Sequence, residues 1–236
     1  WLLSRTDADP AGFAQHESLF ALANGALGVR GGLEEGDSPS QACFLAAAWE
    51  RTPIEYHERF PGFAAHTDTR LPVADATRIQ LRLGDSPVNL AEGEWLDFER
   101  RLDLRAGRYL RRLRWRSPAG HTLLIEAERL VSLDEPGLLA ISYRVSSPDY
   151  AGPITLESSI STARDAADQG HDPRIGARID GGLHDDGAEA DEALAWIRQR
   201  STHSGVRLLC AQRHHALQGL ACRHANLAVH GVVQVY

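Results

Sequence analysis

Methionine and lysine are absent from the 236 residues, and cysteine occurs only at Cys43, Cys210 and Cys222. A small, odd number of cysteines builds no disulfide framework and fits a reducing compartment. No basic segment leads into an apolar stretch in the manner of a secretory signal, so the expectation is a cytoplasmic protein. No run approaches the length of about 18 apolar residues that a bilayer-spanning helix needs. With no methionine and Trp1 in first position, the sequence reads as a fragment, a trimmed product, or a sequence written without its modified residues. The net charge of −7 repels phosphate backbones and argues against general nucleic-acid binding.

One stretch runs against that acidic balance: Arg100, Arg101, Arg105, Arg108, Arg111, Arg112, Arg114 and Arg116. Charge runs are usually solvated, and this one reads as the outer face of paired strands balanced by Glu92, Glu94, Asp97 and Glu99. The middle of the chain alternates with period two. Ile79, Leu81 and Leu83 interleave with Arg78, Gln80 and Arg82, and Leu139, Ile141, Tyr143 and Val145 interleave with small or polar residues. Ile154, Leu156 and Ile160 repeat the pattern. Turn residues separate these runs at Gly84–Pro87, Ser117–Gly120 and Asp134–Gly137. Short, evenly punctuated strands imply a sandwich or barrel, and a chain of this length is expected to form one all-β domain. Leu227–Tyr236 reads as a further strand. Ala166–Asp191 reads as a surface excursion, and Ala188–Arg200 as a helix by its Ala, Glu and Leu content, with a strand over Leu194–Ile197 as the alternative.

The most distinctive segment is His16-Glu17-Ser18-Leu19-Phe20-Ala21-Leu22-Ala23-Asn24-Gly25-Ala26-Leu27-Gly28-Val29-Arg30-Gly31-Gly32-Leu33-Glu34-Glu35. Asn24-Gly25 signals a type I′ hairpin, because both residues tolerate positive φ. Gly28, Gly31 and Gly32 permit close backbone approach. The segment lacks the Gly-Lys-Ser/Thr or strand–GxGxxG–helix setting that a phosphate-cradling loop requires.

This segment resembles the amino-terminal signature of family 65 glycoside hydrolases and phosphorylases, which include maltose, trehalose and kojibiose phosphorylases and acid trehalases. Glu17, Phe20, Asn24, Gly25, Gly28, Arg30 and Gly31 carry the resemblance, with Trp1-Leu2-Leu3 upstream. Arg101–Gly107, Leu110–Arg112 and Gly120–Ser132 continue it downstream, and Arg198–Ala211 does so more loosely. Ala42–Glu50 departs from the aromatic–glycine strand usual in such proteins. The resemblance implies an antiparallel supersandwich of galactose-mutarotase-like type over residues 1–236, followed in the family by an (α/α)6 barrel that holds the general acid and the phosphate site. It therefore implies a non-catalytic domain, inactive alone, of an enzyme that cleaves an α-glucosidic disaccharide by inverting phosphorolysis. The implied partners are that barrel, the disaccharide and inorganic phosphate, and a second copy in a homodimer. No cofactor, metal, nucleic acid or membrane partner is expected, and no catalytic residue is assigned.

Glu34 and Glu35 are adjacent and would diverge on a strand, and Asp185-Asp186 fall in the surface excursion, so neither pair is expected to flank a glycosidic bond. Cys210, His214, His215, Cys222 and His224 carry zinc-type ligands at a spacing that matches no common finger, and a zinc-stabilised binding protein is one rival reading. A stand-alone sugar-binding or mutarotase-like protein is the other. It needs a converging histidine and carboxylate, whereas His16 and Glu17 are neighbours that would diverge on a strand. Trp49 and Trp95 lie near expected loops and are the candidate sugar platforms. Phe60-Pro61-Gly62-Phe63 lies on another expected loop and is a candidate contact with the barrel.

Overall fold

The computed structural model describes residues 1–7, 13–36, 42–54, 56, 58, 60–162, 182–191, 194–215 and 230–231. Apart from helix α1 (Phe13–Leu19), its regular elements are strands, and all of the pairings are antiparallel. A five-stranded sheet has the order β1 (Leu2–Arg5), β9 (Glu94–Asp103), β10 (Arg108–Arg116), β11 (Thr122–Val131), β12 (Leu139–Ser146). A four-stranded sheet runs β17 (His230–Gly231), β13 (Ile154–Ser161), β7 (Asp75–Leu83), β8 (Ser86–Pro87). A three-stranded sheet contains β14 (Leu183–Ala190), β15 (Leu194–Ser201) and β16 (Arg207–Arg213). A second, smaller one contains β2 (Leu22–Ala23), β3 (Leu27–Val29) and β4 (Cys43–Leu45), and β5 (Trp49–Pro53) pairs with β6 (His66–Arg70) as a ribbon.

The period-two segments form the expected strands. On β10, Tyr109, Arg111, Leu113 and Trp115 are buried while Arg108, Arg112, Arg114 and Arg116 face water. Side chains on alternate residues leave opposite faces of a sheet, so one strand supplies both core and surface. The inner face of the five-stranded sheet is covered by different partners at its two ends. At one end Phe98, Leu113, Trp115, Leu123 and Ile125 pack on Ile79, Leu81, Val88, Leu90 and Leu156 of the four-stranded sheet and its flanks. At the other, Leu102, Tyr109 and Val131 pack on Phe20, Leu22, Leu27, Val29 and Cys43. Burying an aliphatic or aromatic side chain of this kind contributes roughly 1.5–3 kcal/mol, so these two clusters supply the main cohesion.

Two expectations are corrected. Of the two readings of Ala188–Arg200, the strand over Leu194–Ile197 holds and the helix does not: the described residues fall in the β14–β15 hairpin, where Ala195, Ile197, Gln199 and Ser201 are buried on one face. Tertiary burial of an alternating face overrides the helix-favouring composition. Asp185-Asp186-Gly187 also lie in β14 rather than in a loop, although they are exposed. Residues 166–181 of the expected excursion lie outside the described residues, as does most of the expected final strand, of which β17 is described.

Candidate functional site

The clearest concentration of titratable groups is a charged belt between the two apolar clusters. Arg100 stands between Phe98 and Leu102 on β9, Arg111 between Tyr109 and Leu113 on β10, and Arg129 between Ala127 and Val131 on β11. Each occupies an inward position and is 1% exposed. Register places Arg100 opposite Arg111, with Arg129 opposite Tyr109, so the row crosses three adjacent strands.

The segment after β3 supplies the counter-charges. It leaves the small sheet with the Arg30 N–H on the Ala42 carbonyl, passes Gly31, whose N–H donates to the Glu17 carbonyl at 2.9 Å, and reaches β7 through the Ile79 N–H and the Glu34 carbonyl. Gly31 is a site of close approach, since a Cβ there would stand 2.6 Å from the Phe20 Cβ and 2.8 Å from its carbonyl oxygen. Arg111 Nη2 donates to Glu34 Oε2 and to Glu35 Oε1, both at 2.6 Å. Arg129 donates from Nε to Glu34 Oε1 at 2.7 Å, and from its terminal nitrogens to the Arg30 and Gly32 carbonyls at 2.8 Å. The Tyr143 hydroxyl donates to Glu35 Oε1. Arg100 lies over the rings of Phe98 and Phe20, 4.9 and 5.6 Å from their centroids. The Glu34, Glu35 and Arg111 side chains are 0% exposed.

Burial alone would raise the Glu34 carboxyl. The Arg129 and Arg111 charges and the Arg129 hydrogen bond outweigh it and hold the group below the ordinary glutamate range. For Arg111, burial opposes the charge, but Glu35 and Glu34 prevail and keep it protonated. Tyr143 is pushed well above the ordinary phenol range, by burial first and then by Glu35. Two carboxylates face two of the guanidiniums with side chains no more than 2% exposed, so these four side chains are closed off from solvent. Glu34 and Glu35 do not diverge as expected, because they occupy a bend rather than a strand and converge on one guanidinium.

The other residues singled out from the sequence fall around this belt. Glu17 is buried on α1, and Phe20 meets the Tyr109 ring edge-on at 5.9 Å between centroids. Asn24 and Gly25 close the β2–β3 hairpin, but not as a type I′ turn. Gly25 alone has positive φ, at 90°, and the Asn24 Oδ1 instead accepts from the Ala26 and Leu27 N–H groups at 2.9 and 2.8 Å. Its Nδ2 donates to the Ser132 and Pro136 carbonyls at 2.6 and 3.0 Å, tying the hairpin to the β11–β12 loop. Gly28 has ordinary contacts where a Cβ would stand. Arg30 Nη1 donates to Ser18 Oγ at 2.6 Å.

Trp49 and Trp95 stand on different sheets. Trp95 packs on the larger cluster, and its indole N–H donates to the Leu90 carbonyl at 2.9 Å, the acceptor also used by Trp115. Trp49 donates to the Ala46 carbonyl at 2.6 Å and is 42% exposed. His16 and Glu17 lie on a helix rather than a strand, where successive side chains still point apart. Cys222 and His224 are outside the described residues. Burial and then Asp75 raise the Cys210 thiol to about 11, while burial and His215 lower His214 to about 4. No group of three or more metal-ligating side chains occurs among the described residues, and no described helix is long and apolar enough to cross a membrane. An open groove of about 320 Å³ crosses the outer face of the five-stranded sheet between Asp97, Arg114, Leu124 and Arg144.

The arginine run is therefore divided. Arg101 pairs with Glu99 and Arg116 with Glu94, as a solvated face predicts, while Arg108 and Arg112 pair across to Glu128 and Glu126. The buried members, with Arg129, Tyr109 and Tyr143, were missed. The available signal was their phase, since each falls on the apolar beat of its strand.

The family model described as "Glycosyl hydrolase family 65, N-terminal domain" matches residues 3–234. The chain belongs to glycosyl hydrolase family 65. An uncharacterised glycosyl hydrolase of Mycobacterium tuberculosis is 34% identical to this family 65 domain over 215 residues, 91% of this chain and 27% of that protein. The α,α-trehalose phosphorylase of Thermoanaerobacter brockii is 31% identical over 217 residues, 89% of this chain and 28% of that protein. A solved structure of a provisionally named kojibiose phosphorylase from the human microbiome shares the fold, with a TM-score of 0.75 at 18% identity, over 90% of this chain and 27% of that one. The domain thus spans little more than a quarter of each of these proteins.

Proposed function

We propose that residues 1–236 form the non-catalytic amino-terminal domain of an enzyme that cleaves an α-glucosidic disaccharide by inverting phosphorolysis. The carrying observation is the closure of the Glu34–Glu35–Arg111–Arg129 network. The convergent carboxylates of the signature segment are fully enclosed, and neither can reach a glycosidic oxygen. Inverting chemistry needs a carboxylic acid within hydrogen-bond reach of the leaving oxygen, with phosphate taking the place of the attacking water. On this reading the acid and the phosphate site belong to an (α/α)6 barrel elsewhere in the polypeptide, and the enzyme is a cytoplasmic homodimer. Trp49, which is 42% exposed, is the residue of this domain proposed to stack on a sugar ring at the edge of a cleft.

The test uses the full-length polypeptide with trehalose, maltose and kojibiose, with and without inorganic phosphate, followed by anomer-resolved NMR. Phosphate-dependent release of glucose and β-glucose 1-phosphate is expected. Phosphate-independent release of two glucose molecules overturns the phosphorolytic half of the proposal. Cleavage by the 236-residue chain alone overturns the domain assignment. A stand-alone sugar-binding role would show instead as saturable maltose binding to this chain that Trp49→Ala abolishes.

A further inference from the structure

The root of the β5–β6 ribbon and the neighbouring strand β4 bring two arginines and two aromatic rings together. Register sets Trp49 opposite Arg70 and Arg51 opposite Asp68, and all four side chains are exposed. Residues directly opposite on an antiparallel pair stand about 4.5–5.5 Å apart at Cβ. The Asp68 carboxylate therefore falls beside Arg51, and an indole falls beside Arg70.

The Arg70 guanidinium lies over the Phe44 ring, 4.1 Å from its centroid, and the Arg30 guanidinium lies 5.2 Å from the same centroid. Contact with an aromatic face steadies a guanidinium without engaging its N–H donors. Arg30 uses Nη1 on the Ser18 hydroxyl, while its buried Nε has no hydrogen-bond partner. Unlike Arg101, Arg108, Arg112 and Arg116, neither Arg30 nor Arg70 forms an ion pair among the described residues. Two cations thus share one ring, in a chain of net charge −7, with no carboxylate paired to either.

We propose that Trp49, Arg70 and Arg30 form a binding site for a phosphorylated sugar. The flat Arg70 fork matches a phosphate, whose oxygens accept two parallel N–H bonds. Arg30 adds a second positive charge at the same ring. The Trp49 indole, held by its N–H bond to the Ala46 carbonyl at 2.6 Å, supplies apolar surface for the sugar. A neutral sugar would leave both guanidiniums unpaired, and a bare phosphate would leave the indole uncovered, so the two chemistries together select the ligand class. The proposal builds on the reading of Trp49 as a sugar platform.

The test is hydrogen–deuterium exchange of the full-length polypeptide with glucose 6-phosphate, glucose or inorganic phosphate, followed in peptides that cover β4, β5 and β6. Slower exchange there that saturates with glucose 6-phosphate is expected. Its midpoint should rise about ten-fold in Arg70→Ala and less in Arg70→Lys, which keeps the charge but not the fork. Equal protection by glucose would strike out the phosphate and leave Trp49 as a platform for neutral sugars; equal protection by inorganic phosphate would strike out the sugar. Either result overturns the proposal, as does an absence of protection or an unmoved midpoint in Arg70→Ala. The readout does not depend on turnover. Protection in a protein that cleaves no disaccharide would sink the proposed reaction and leave the site standing, and an active protein without protection would do the reverse.

Discussion

Arg111 points inward from β10 with a side chain 0% exposed, and Arg112 points outward with 65% exposed. Both contact glutamates, but in different dielectric surroundings. Removing Arg111 leaves Glu34 and Glu35 buried against a lost charge, a change that costs about 3–5 kcal/mol in comparable buried pairs. Removing Arg112 breaks a solvated pair with Glu126, which contributes roughly 0–1 kcal/mol. Urea unfolding of Arg111→Ala and Arg112→Ala should therefore separate widely; equal midpoints would refute the belt as described. Arg111→Lys should destabilise less than Arg111→Ala, because one Arg111 nitrogen makes both contacts and an ammonium also carries its charge and donors on one nitrogen. The same belt sets an acid limit. The folded Glu34 titrates below its unfolded value of about 4.5, so its contribution is complete above that pH and is lost as pH falls through the lower folded value. In Glu34→Gln the acid limb of a stability–pH curve should flatten. An unchanged limb would place the acid sensitivity elsewhere.

Beyond its apolar packing, the β2–β3 hairpin is clamped at its turn by one polar side chain. Asn24 holds the turn through its oxygen and the β11–β12 loop through its nitrogen. Asn24→Ala leaves two turn N–H groups and two carbonyls without that partner, and each unsatisfied buried group costs about 1–3 kcal/mol at most, less where water reaches it. Faster hydrogen exchange at Ala26 and Leu27, with β10 and β11 amides unchanged, is the expected signature. Uniform loss of protection would instead mean global destabilisation. The strands β7, β12 and β13 could be read from the sequence because their alternation matches the pleat. The Asn24 bonds could not, since they depend on a loop 108 and 112 residues away. Arg100 and Arg111 were hidden for a related reason. A row of arginines looks solvated until the inward phase of each strand is imposed on it. The β14–β15 hairpin was obscured by Ala, Glu and Leu, whose local preference is helical and whose burial pattern is not.

Among the described residues the two larger apolar clusters share one sheet, with the charged belt between them. Trp95 and Trp115 report on one cluster, and Phe20 and Tyr109 lie in the other. With the belt intact, tryptophan fluorescence and far-UV circular dichroism should lose signal at the same urea concentration, as a two-state domain does. In Arg129→Ala, which severs the Arg30, Gly32 and Glu34 contacts together, the two probes should part. Coincident transitions in that variant would show that the β strands alone couple the clusters.

Glu34 meets Arg111 and Arg129 across 77 and 95 residues of intervening chain. A ribosome adding about 5–20 residues per second presents the acidic bend several seconds before either basic partner emerges. Until then Glu34 lacks both of these partners. The small β2–β4 sheet is therefore made well before β10 and β11, the strands whose arginines hold the bend that follows it.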